Sequence, residues 1–143
     1  MARIKLDIPD NHLTTVSIPV RITDINYGNH VGNDSFVAII HEARMLWLKQ
    51  YGYTELAIEG IGLIMSDLVV EFKQEAVYGD IIRVDLFAGE ITRAGFEIYY
   101  RLTTVREEKE NLLAHAKTGM VCYDYAAKRV AMIPDSLKAI LNA

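Results

Sequence analysis

The stretch that decides the fold covers residues 36–51 and reads FVAIIHEARMLWLKQY. Its large apolar side chains recur every three or four residues, which is the spacing of one face of an α-helix. The apolar positions of that face are Phe36, Ile39, Ile40, Ala43, Leu46 and Trp47. Val37 and Leu48 widen the apolar arc, so the sequence predicts a helix that other elements wrap on several sides and that ends near Gly52.

Alternating apolar residues on both sides of this helix predict β-strands. Residues 14–22 alternate first, and Pro19 favours an edge position because proline cannot donate a ladder hydrogen bond. Further alternating runs cover residues 67–73, 82–88, 96–102, 112–123 and 129–132. A short helix is expected over residues 135–141. The turns between the later runs are mostly short, which favours antiparallel neighbours.

This order of elements predicts an α+β domain. An antiparallel sheet of five or six strands must bury one apolar face, and the long helix is the large apolar element able to cover it. We therefore expect the sheet to wrap around the helix, with residues 1–143 in a single domain. The strongly apolar strands also indicate a homodimer or homotetramer in which a second copy pairs through the sheet.

Composition limits the possible binding partners of the protein and its cellular compartment. The net charge is −4 and the basic residues are scattered, so we expect no nucleic acid partner. No apolar run approaches the roughly 20 residues of a membrane span. Residues 1–7 lack the apolar core of a signal peptide, so we expect a cytoplasmic protein without membrane contact. Cys122 is the single cysteine and lies in a strand pattern, which favours a buried thiol over a nucleophile.

The sequence carries no motif for cofactor or metal chemistry. It has no Gly-x-Ser-x-Gly nucleophile elbow, no phosphate-binding loop and no dinucleotide fingerprint. The segment that starts with His41 and Glu42 begins like a zinc-binding helix, but Met45 stands where the second histidine ligand would be. We therefore expect neither a metal nor a cofactor.

A polar decapeptide, residues 24–33, precedes the helix and reads DINYGNHVGN. The first N–H groups of a helix have no partner inside the helix, and the helix dipole adds partial positive charge there. Such a terminus can bind and polarise a carbonyl oxygen without a metal. The backbone N–H groups of Gly32, Asn33 and Asp34 are the candidate donors. Asn33, Asp34 and Ser35 are also possible N-caps.

Side chains in and near the decapeptide have both functional and structural interpretations. His30 could be a hydrogen-bond donor, a base or a loop-stabilising group, and the asparagines of the loop commonly supply turns. Glu42, at the margin of the apolar stripe, is either a salt-bridged rim residue or a partly buried acid. Asp67 is either a turn former at a strand end or an acid presented to a substrate.

Residues 20–33, followed by Glu42-Ala43-Arg44, resemble the R-x-x-D-x-D-x-x-G-H-V-N-N … E-A-R signature of hotdog-fold acyl-CoA thioesterases. This is the group that contains 4-hydroxybenzoyl-CoA thioesterase. Residues 71–75 and the Tyr78-Gly79-Asp80 turn resemble the family's second strand and the turn after it. The resemblance covers roughly residues 14–125. It implies a sheet wrapped around one helix, a dimer whose sheets join edge to edge, and active sites at the subunit interface near the helix N-terminus.

The resemblance also implies that backbone N–H groups polarise the thioester carbonyl of an acyl-CoA, while an acid activates water or attacks directly. This chain departs from the signature at three positions. Asn26 stands where many members have the catalytic aspartate, Asn29 occupies the slot before the histidine, and Gly32 replaces the first of the paired asparagines. An amide cannot serve as a general base, so Asn26 cannot do the work of that aspartate.

The acid for hydrolysis must then come from elsewhere, with Asp24, Glu42 and Asp67 as the nearest candidates. We expect Asp67 to be the base, either within its own subunit or across the dimer interface, and Glu42 to be a supporting acid. The other expected site residues, which would orient water and carbonyl or contact the substrate, are Asn26, His30, Tyr27 and Asn29.

Two other functions stay open. An enoyl thioester hydratase on the same fold uses a D-x-N-P-x-H loop. Asp24 and Asn26 match that loop here, but its proline is missing and His30 lies one residue too far along. A non-catalytic acyl-CoA-binding protein is the second alternative, because the customary aspartate is replaced. Release of free CoA thiol separates hydrolysis from both.

Overall fold

Residues 3–143 are described by a computed structural model of the protein. In chain order its elements are β1 (His12–Pro19), a 3-10 turn (Ile22–Asp24), α1 (Asn33–Lys49), β2 (Gly62–Phe72), β3 (Ile81–Ile91), β4 (Gly95–Arg106), β5 (Lys109–Asp124), β6 (Arg129–Val130) and α2 (Asp135–Asn142). The main strands lie in the order β1-β3-β4-β5-β2, and β6 pairs with the end of β5. Every pairing is antiparallel, so the predicted α+β class and its six-stranded antiparallel sheet are confirmed.

Helix α1 supplies the centre of the hydrophobic core. Its apolar face is buried against the inner face of the sheet, and Trp47 is fully enclosed. Trp47 meets Phe96 of β4 edge to face, with ring centroids 6.5 Å apart. Phe36 meets Phe72 of β2 in the same way at 5.3 Å. Aromatic contacts therefore join both ends of the helix to the sheet.

The boundaries of two elements differ from the predicted ones. Helix α1 begins at Asn33 and ends at Lys49, earlier at both ends than the apolar stripe indicated, because its first turn is polar. Its N-cap is Gly32, which has no side chain to accept hydrogen bonds from the first turn, so the predicted caps at Asn33, Asp34 and Ser35 are wrong. Strand β1 ends at Pro19, and the chain turns before Ile22, which is exposed rather than buried.

The two edges of the sheet are β1 and β2. Pro19 pairs with Ile81 at the end of β1, so the predicted edge position of this proline is confirmed. Strand β2 pairs with β5 alone within residues 3–143, and it exposes Ile64, Met65 and Phe72. An unpaired edge of this length with apolar side chains is a ready surface for another strand.

Neither helix in the described residues 3–143 is long and apolar enough to cross a membrane. Residues 1 and 2 lie outside the described part of the chain, so the single domain over residues 1–143 stays a prediction.

Candidate active site

The decapeptide forms a compact turn around the side chain of Asn26. The N–H of Asn26 donates to the carbonyl of His30 at 2.9 Å, and the N–H of Asn29 donates to the carbonyl of Asn26 at 3.2 Å. The side-chain oxygen of Asn26 accepts from the N–H of Gly28 at 2.9 Å. Asn29 has φ +64°, a left-handed conformation that asparagine tolerates better than most residues. Asn26 and Asn29 therefore shape the loop, as their turn-forming interpretation predicts.

Two backbone hydrogen bonds fix this turn to the rest of the protein. The N–H of Gly32 donates to the carbonyl of Asp24 at 3.1 Å, and the N–H of Val31 donates to the carbonyl of Ala76 at 2.8 Å. The Asp24 carboxylate is buried and accepts the N–H of Arg21 at 2.8 Å. The N–H of Gly32 is thus used within the protein, and the predicted set of oxyanion donors loses this member.

The next three N–H groups, those of Asn33, Asp34 and Ser35, have no acceptor within residues 3–143. The first turn of α1 closes one residue later, where the N–H of Phe36 donates to the carbonyl of Gly32 at 3.0 Å. Three free donors and the positive end of the helix dipole therefore lie together at this terminus.

A cleft of about 210 Å³ opens at this terminus. It is lined by His30, Val31, Asn33, Phe36, Phe72, Lys73, Gln74 and Glu75. The His30 ring places Nδ1 3.3 Å from the Val31 carbonyl and Nε2 3.6 Å from a carboxylate oxygen of Glu75. We call this space the helix-terminus cleft. Its apolar wall and the free N–H group of Asn33 can together hold a carbonyl compound.

The side chain of Asp34 lies back over the N-cap. A Cβ on residue 32 would stand 2.6 Å from Oδ1 of Asp34, so a larger residue at this position would displace the carboxylate. The Asn26 side chain borders the same glycine, with its Nδ2 3.7 Å from that Cβ position. The absence of a side chain at Gly32 therefore leaves room for the Asp34 and Asn26 side chains beside the start of the helix.

Glu42 lies on a different side of α1. It lines a cleft of about 320 Å³ between β1 and α1, together with Ile39, Leu46 and the Arg21–Asp24 pair. This cleft shares no residue with the helix-terminus cleft. Within one chain, Glu42 and Asp24 are therefore brought together with each other and not with His30.

Asp67 lies in a third place, beside a bulge in β2 between Met65 and Asp67. Its carboxylate accepts the N–H of Gly119 at 2.9 Å and the ammonium of Lys117 at 3.0 Å. The hydrogen bond to Asp67 is the largest influence on Lys117 and raises its pKa. The surrounding cleft of about 270 Å³ has no residue in common with the helix-terminus cleft. The structure thus gives Asp67 a structural setting in the bulge, apart from the free N–H groups.

Tyr27 and Asn29 occupy the tip of the loop. The Tyr27 side chain is fully exposed, and Asn29 is also exposed. Both are free to contact a molecule that enters from solvent.

The sequence did not predict a group of polar side chains beside α1 that hydrogen bonds link to one another. His41 Nε2 lies 2.5 Å from one carboxylate oxygen of Glu55, and Arg44 Nε donates to the other oxygen at 2.7 Å. Arg44 is buried and also donates to the hydroxyl of Tyr100 at 3.1 Å, and that hydroxyl is 2.7 Å from the hydroxyl of Thr118. Burial raises the pKa of Tyr100, so it stays a neutral phenol.

This group, which we call the His41 cluster, opens into a cleft of about 240 Å³, which we call the His41 cleft. The apolar lining is Val37, Ile40, Leu63, Met65 and Leu68. The sequence signal was the spacing of three between His41 and Arg44, which puts both on one flank of a helix. Their shared partner, Glu55, comes from the loop after α1, and no periodicity marks it.

An antiparallel sheet around one helix, with a polar loop and an open helix terminus beside a cleft, defines a hotdog-fold protein. The sequence profile of the Thioesterase-like superfamily matches residues 20–141, and the chain belongs to this family. This membership confirms the predicted family and the predicted enzyme class, a thioester hydrolase. A search of the curated proteins gives no match.

Solved structures share the fold. The PA2801 protein of Pseudomonas aeruginosa, a candidate thioesterase, is 25% identical with a TM-score of 0.81, over 90% of this chain and 98% of that one. A 1,4-dihydroxy-2-naphthoyl-CoA thioesterase from Synechocystis is 21% identical with a TM-score of 0.78, over 90% and 94% of the two chains. A mutant 4-hydroxybenzoyl CoA thioesterase complexed with 4-hydroxybenzoyl CoA is 16% identical with a TM-score of 0.78, over 90% and 97%.

Proposed function

We propose that this protein hydrolyses an acyl-CoA thioester to a carboxylic acid and CoA thiol in the helix-terminus cleft. The observation that carries the proposal is the trio of N–H groups at Asn33, Asp34 and Ser35 that have no acceptor within residues 3–143, at a helix start where Asn33 lines a cleft. Relatives of the same fold are named for their action on aryl-CoA thioesters, which supports CoA as the thiol part of the substrate.

The proposed chemistry needs no metal and no cofactor. The thioester oxygen accepts hydrogen bonds from the N–H groups of Asn33 and Asp34, and these strengthen as water attacks and negative charge develops on that oxygen. Because the donors are held by the helix, they require no reorganisation during the reaction. Asn26 and His30 would orient the loop and the carbonyl, and the exposed Tyr27 and Asn29 would contact the CoA part.

Within one subunit, neither acid expected from the sequence lies beside the free N–H groups. The acid must therefore come from a second copy of the chain or be another residue. Glu42 and Asp67 each lie in a cleft separate from the free N–H groups within one subunit. Asp67 is also engaged by Lys117 and Gly119, which favours its carboxylate as a fixed acceptor in the bulge over a base. Neither residue is therefore our preferred base.

We further propose a homodimer in which the β2 edges of two copies pair in antiparallel register. The support is the unpaired outer edge of β2 and its exposed Ile64, Met65 and Phe72. Burying these side chains would remove an apolar patch and satisfy the free backbone groups of the edge. The cytoplasmic location stays a prediction from the sequence.

A thiol-release assay against a panel of aryl- and alkyl-CoA thioesters tests the proposal. We expect at least one substrate to release free CoA thiol in proportion to enzyme concentration. Enoyl-CoA that gains water while its thiol stays masked would instead indicate the hydratase alternative. Tight binding of acyl-CoA without thiol release across the panel would indicate the non-catalytic alternative, and either result would overturn the proposal.

A further inference from the structure

We propose that His41 is the general base of the thioester hydrolysis and that it acts on the helix-terminus cleft of the other subunit. Glu55 is its positioning residue. This inference rests on the proposed function and on the β2-paired dimer. It gives the reaction the base that the loop lacks, since Asn26 cannot accept the proton.

Groups already in the helix-terminus cleft are poorly placed for this role. The two ring nitrogens of His30 lie 3.3 Å from the Val31 carbonyl oxygen and 3.6 Å from a carboxylate oxygen of Glu75, so protein oxygen atoms crowd the space beside both nitrogens. Glu75 is 71% exposed and Lys73 pairs with Glu71. A mostly solvated carboxylate, whose contact with His30 is as long as 3.6 Å, is a weak general base for a positioned water.

His41 has the opposite arrangement. Its Nε2 is held by Glu55, so the N–H lies on that nitrogen and Nδ1 keeps its lone pair. Nδ1 has no hydrogen-bond partner in the described chain from residue 3 onward, and the side chain is 56% exposed. Glu55 is itself fixed by buried Arg44. A base oriented by a carboxylate that a third group holds is the recurring arrangement of catalytic histidines.

The other residues that line the His41 cleft are apolar, so Glu55 and Arg44 are the charged groups that face the imidazole. The Glu55 carboxylate lies beside the ring and attracts the positive charge that forms when Nδ1 takes a proton, and Arg44 holds that carboxylate in place. The cluster therefore stabilises the protonated base without blocking Nδ1.

Within one chain, His41 cannot reach the free N–H groups. It lies eight residues beyond Asn33 in α1, a rise of about 12 Å along the helix axis. The two clefts do, however, flank the same edge strand. The His41 cleft borders the first part of β2 at Leu63 and Met65, and the helix-terminus cleft borders its last residue, Phe72.

Both clefts also lie on the helix side of the sheet, because α1 residues line each of them. The bulge after Met65 makes this possible. It shifts the alternation of β2 by one residue, so Met65 before it and Leu68 and Phe72 after it all face α1.

Antiparallel pairing of two β2 edges about a two-fold axis sets the start of one strand beside the end of the other. The His41 cleft of one copy then adjoins the helix-terminus cleft of its partner. Each active site would take its N–H donors from one chain and its base from the other, and the dimer would hold two such sites.

The proposed step balances as a hydrolysis. Nδ1 of His41 takes a proton from water as the water oxygen bonds to the thioester carbon, and the carbonyl electron pair moves to the oxygen held by the N–H groups. That pair then returns, the C–S bond breaks, and the departing sulfur receives the proton from Nδ1. The products are a carboxylic acid and the CoA thiol, and the imidazole is neutral again.

The first test compares wild type with His41→Gln on a substrate found in the thiol-release panel. We expect kcat to fall 100-fold or more with KM within about threefold, because general base catalysis contributes that much. The dependence of kcat on pH should also differ between wild type and the variant, because the variant lacks the proposed base. The matched control is His12→Gln, which alters another exposed histidine, on edge strand β1, and should keep full activity.

The second test is complementation between His41→Gln and Asn33→Pro, each weakly active alone. Proline at the first helical position deletes one N–H and is well tolerated there. In mixed dimers, a base acting on the other subunit leaves one of two sites intact. Random mixing makes half of the dimers mixed, so activity should recover to about one quarter of wild type. Differential tags on the two chains confirm that mixed dimers form.

The outcomes separate this inference from the proposed function. Full activity in His41→Gln while wild type releases thiol overturns the role of His41 and leaves the function standing. A large loss in Glu75→Gln with His41→Gln unaffected would do the same and assign the base to Glu75. Mixed dimers that form without regaining activity would contradict action across the interface. A wild type that releases no thiol defeats the proposed function itself.

Discussion

The backbone N–H of Gly32 donates to the carbonyl oxygen of Asp24, 3.1 Å away, and this bond closes the loop that leads into α1. Because the bond uses the last N–H before the helix, the helix's own free donors begin at Asn33. The same bond fixes the direction in which those donors point. The loop therefore decides which N–H groups a substrate can reach.

Replacing the carboxylate of Asp34 tests whether this side chain takes part in the chemistry. It lies over the N-cap, so its negative charge opposes the charge that develops on a bound thioester oxygen. We expect Asp34→Asn to keep kcat or to raise it up to about threefold. The helix should lose about 0.3–1 kcal/mol of dipole stabilisation, measured by denaturant unfolding. A tenfold fall in kcat would show that the carboxylate acts in the reaction.

The His41 cluster predicts a large stability effect at its buried member. Removing the guanidinium in Arg44→Ala takes away the cation that pairs with the Glu55 carboxylate and one of the two hydrogen-bond partners of the Tyr100 hydroxyl. We expect the free energy of unfolding to fall by about 3–5 kcal/mol. Lys49→Ala, at the exposed end of the same helix, serves as the control and should change stability by less than about 0.5 kcal/mol. Equal stability of the two variants would contradict a buried, connected cluster.

Asp80 predicts a dependence of stability on pH. Hydrogen bonds from Arg106 are the main reason that the pKa of Asp80 is lowered, and the N–H of Val77 contributes in the same direction. A carboxyl whose pKa is lower in the folded state stabilises the fold above its unfolded pKa, about 3.9. That stabilisation is lost as the pH falls through the folded value.

We therefore expect Asp80→Asn to be less stable than wild type at pH 7 and to approach wild type in acid. Denaturant unfolding at several pH values measures both curves. Asp10→Asn, which removes an exposed carboxylate from the N-terminal segment, is the control and should leave the curve unchanged. Parallel curves for wild type and Asp80→Asn across the range would refute the pairing with Arg106.

The sequence predicted the fold well because periodicity is a local property. The apolar stripe of α1 and the alternation in the strands each depend on neighbouring residues, and together they left few ways to bury the helix. The predicted end of β1 was wrong because the chain turns at Pro19. The N–H of Val20 then donates to the backbone carbonyl of Asp80, a residue distant in sequence. No local pattern records that bond.

The site was harder to predict because it depends on the direction in which each side chain points from the helix or from the sheet. His41 and Glu42 are adjacent in sequence, yet they point about 100° apart around α1 and enter different clefts. Asp67 alternates like its neighbours in sequence, but the bulge beside it directs its carboxylate to Gly119. Glu55 comes from a loop, so its contact with His41 has no sequence signature.

The central claim is that free N–H groups at the start of α1 hold the reacting oxygen, and kcat of Asn33→Pro tests it most directly. Gly32 already has the extended conformation that precedes proline, with φ −71° and ψ 159°, so the helix should form normally. Asp135→Pro makes the same change at the first residue of α2, away from the cleft, and is the matched control.

We predict that Asn33→Pro lowers kcat about 100- to 1,000-fold with little change in KM or Tm, as expected for the loss of one oxyanion donor. The control should keep wild-type kcat. Wild-type kcat in a folded Asn33→Pro variant would contradict the claim.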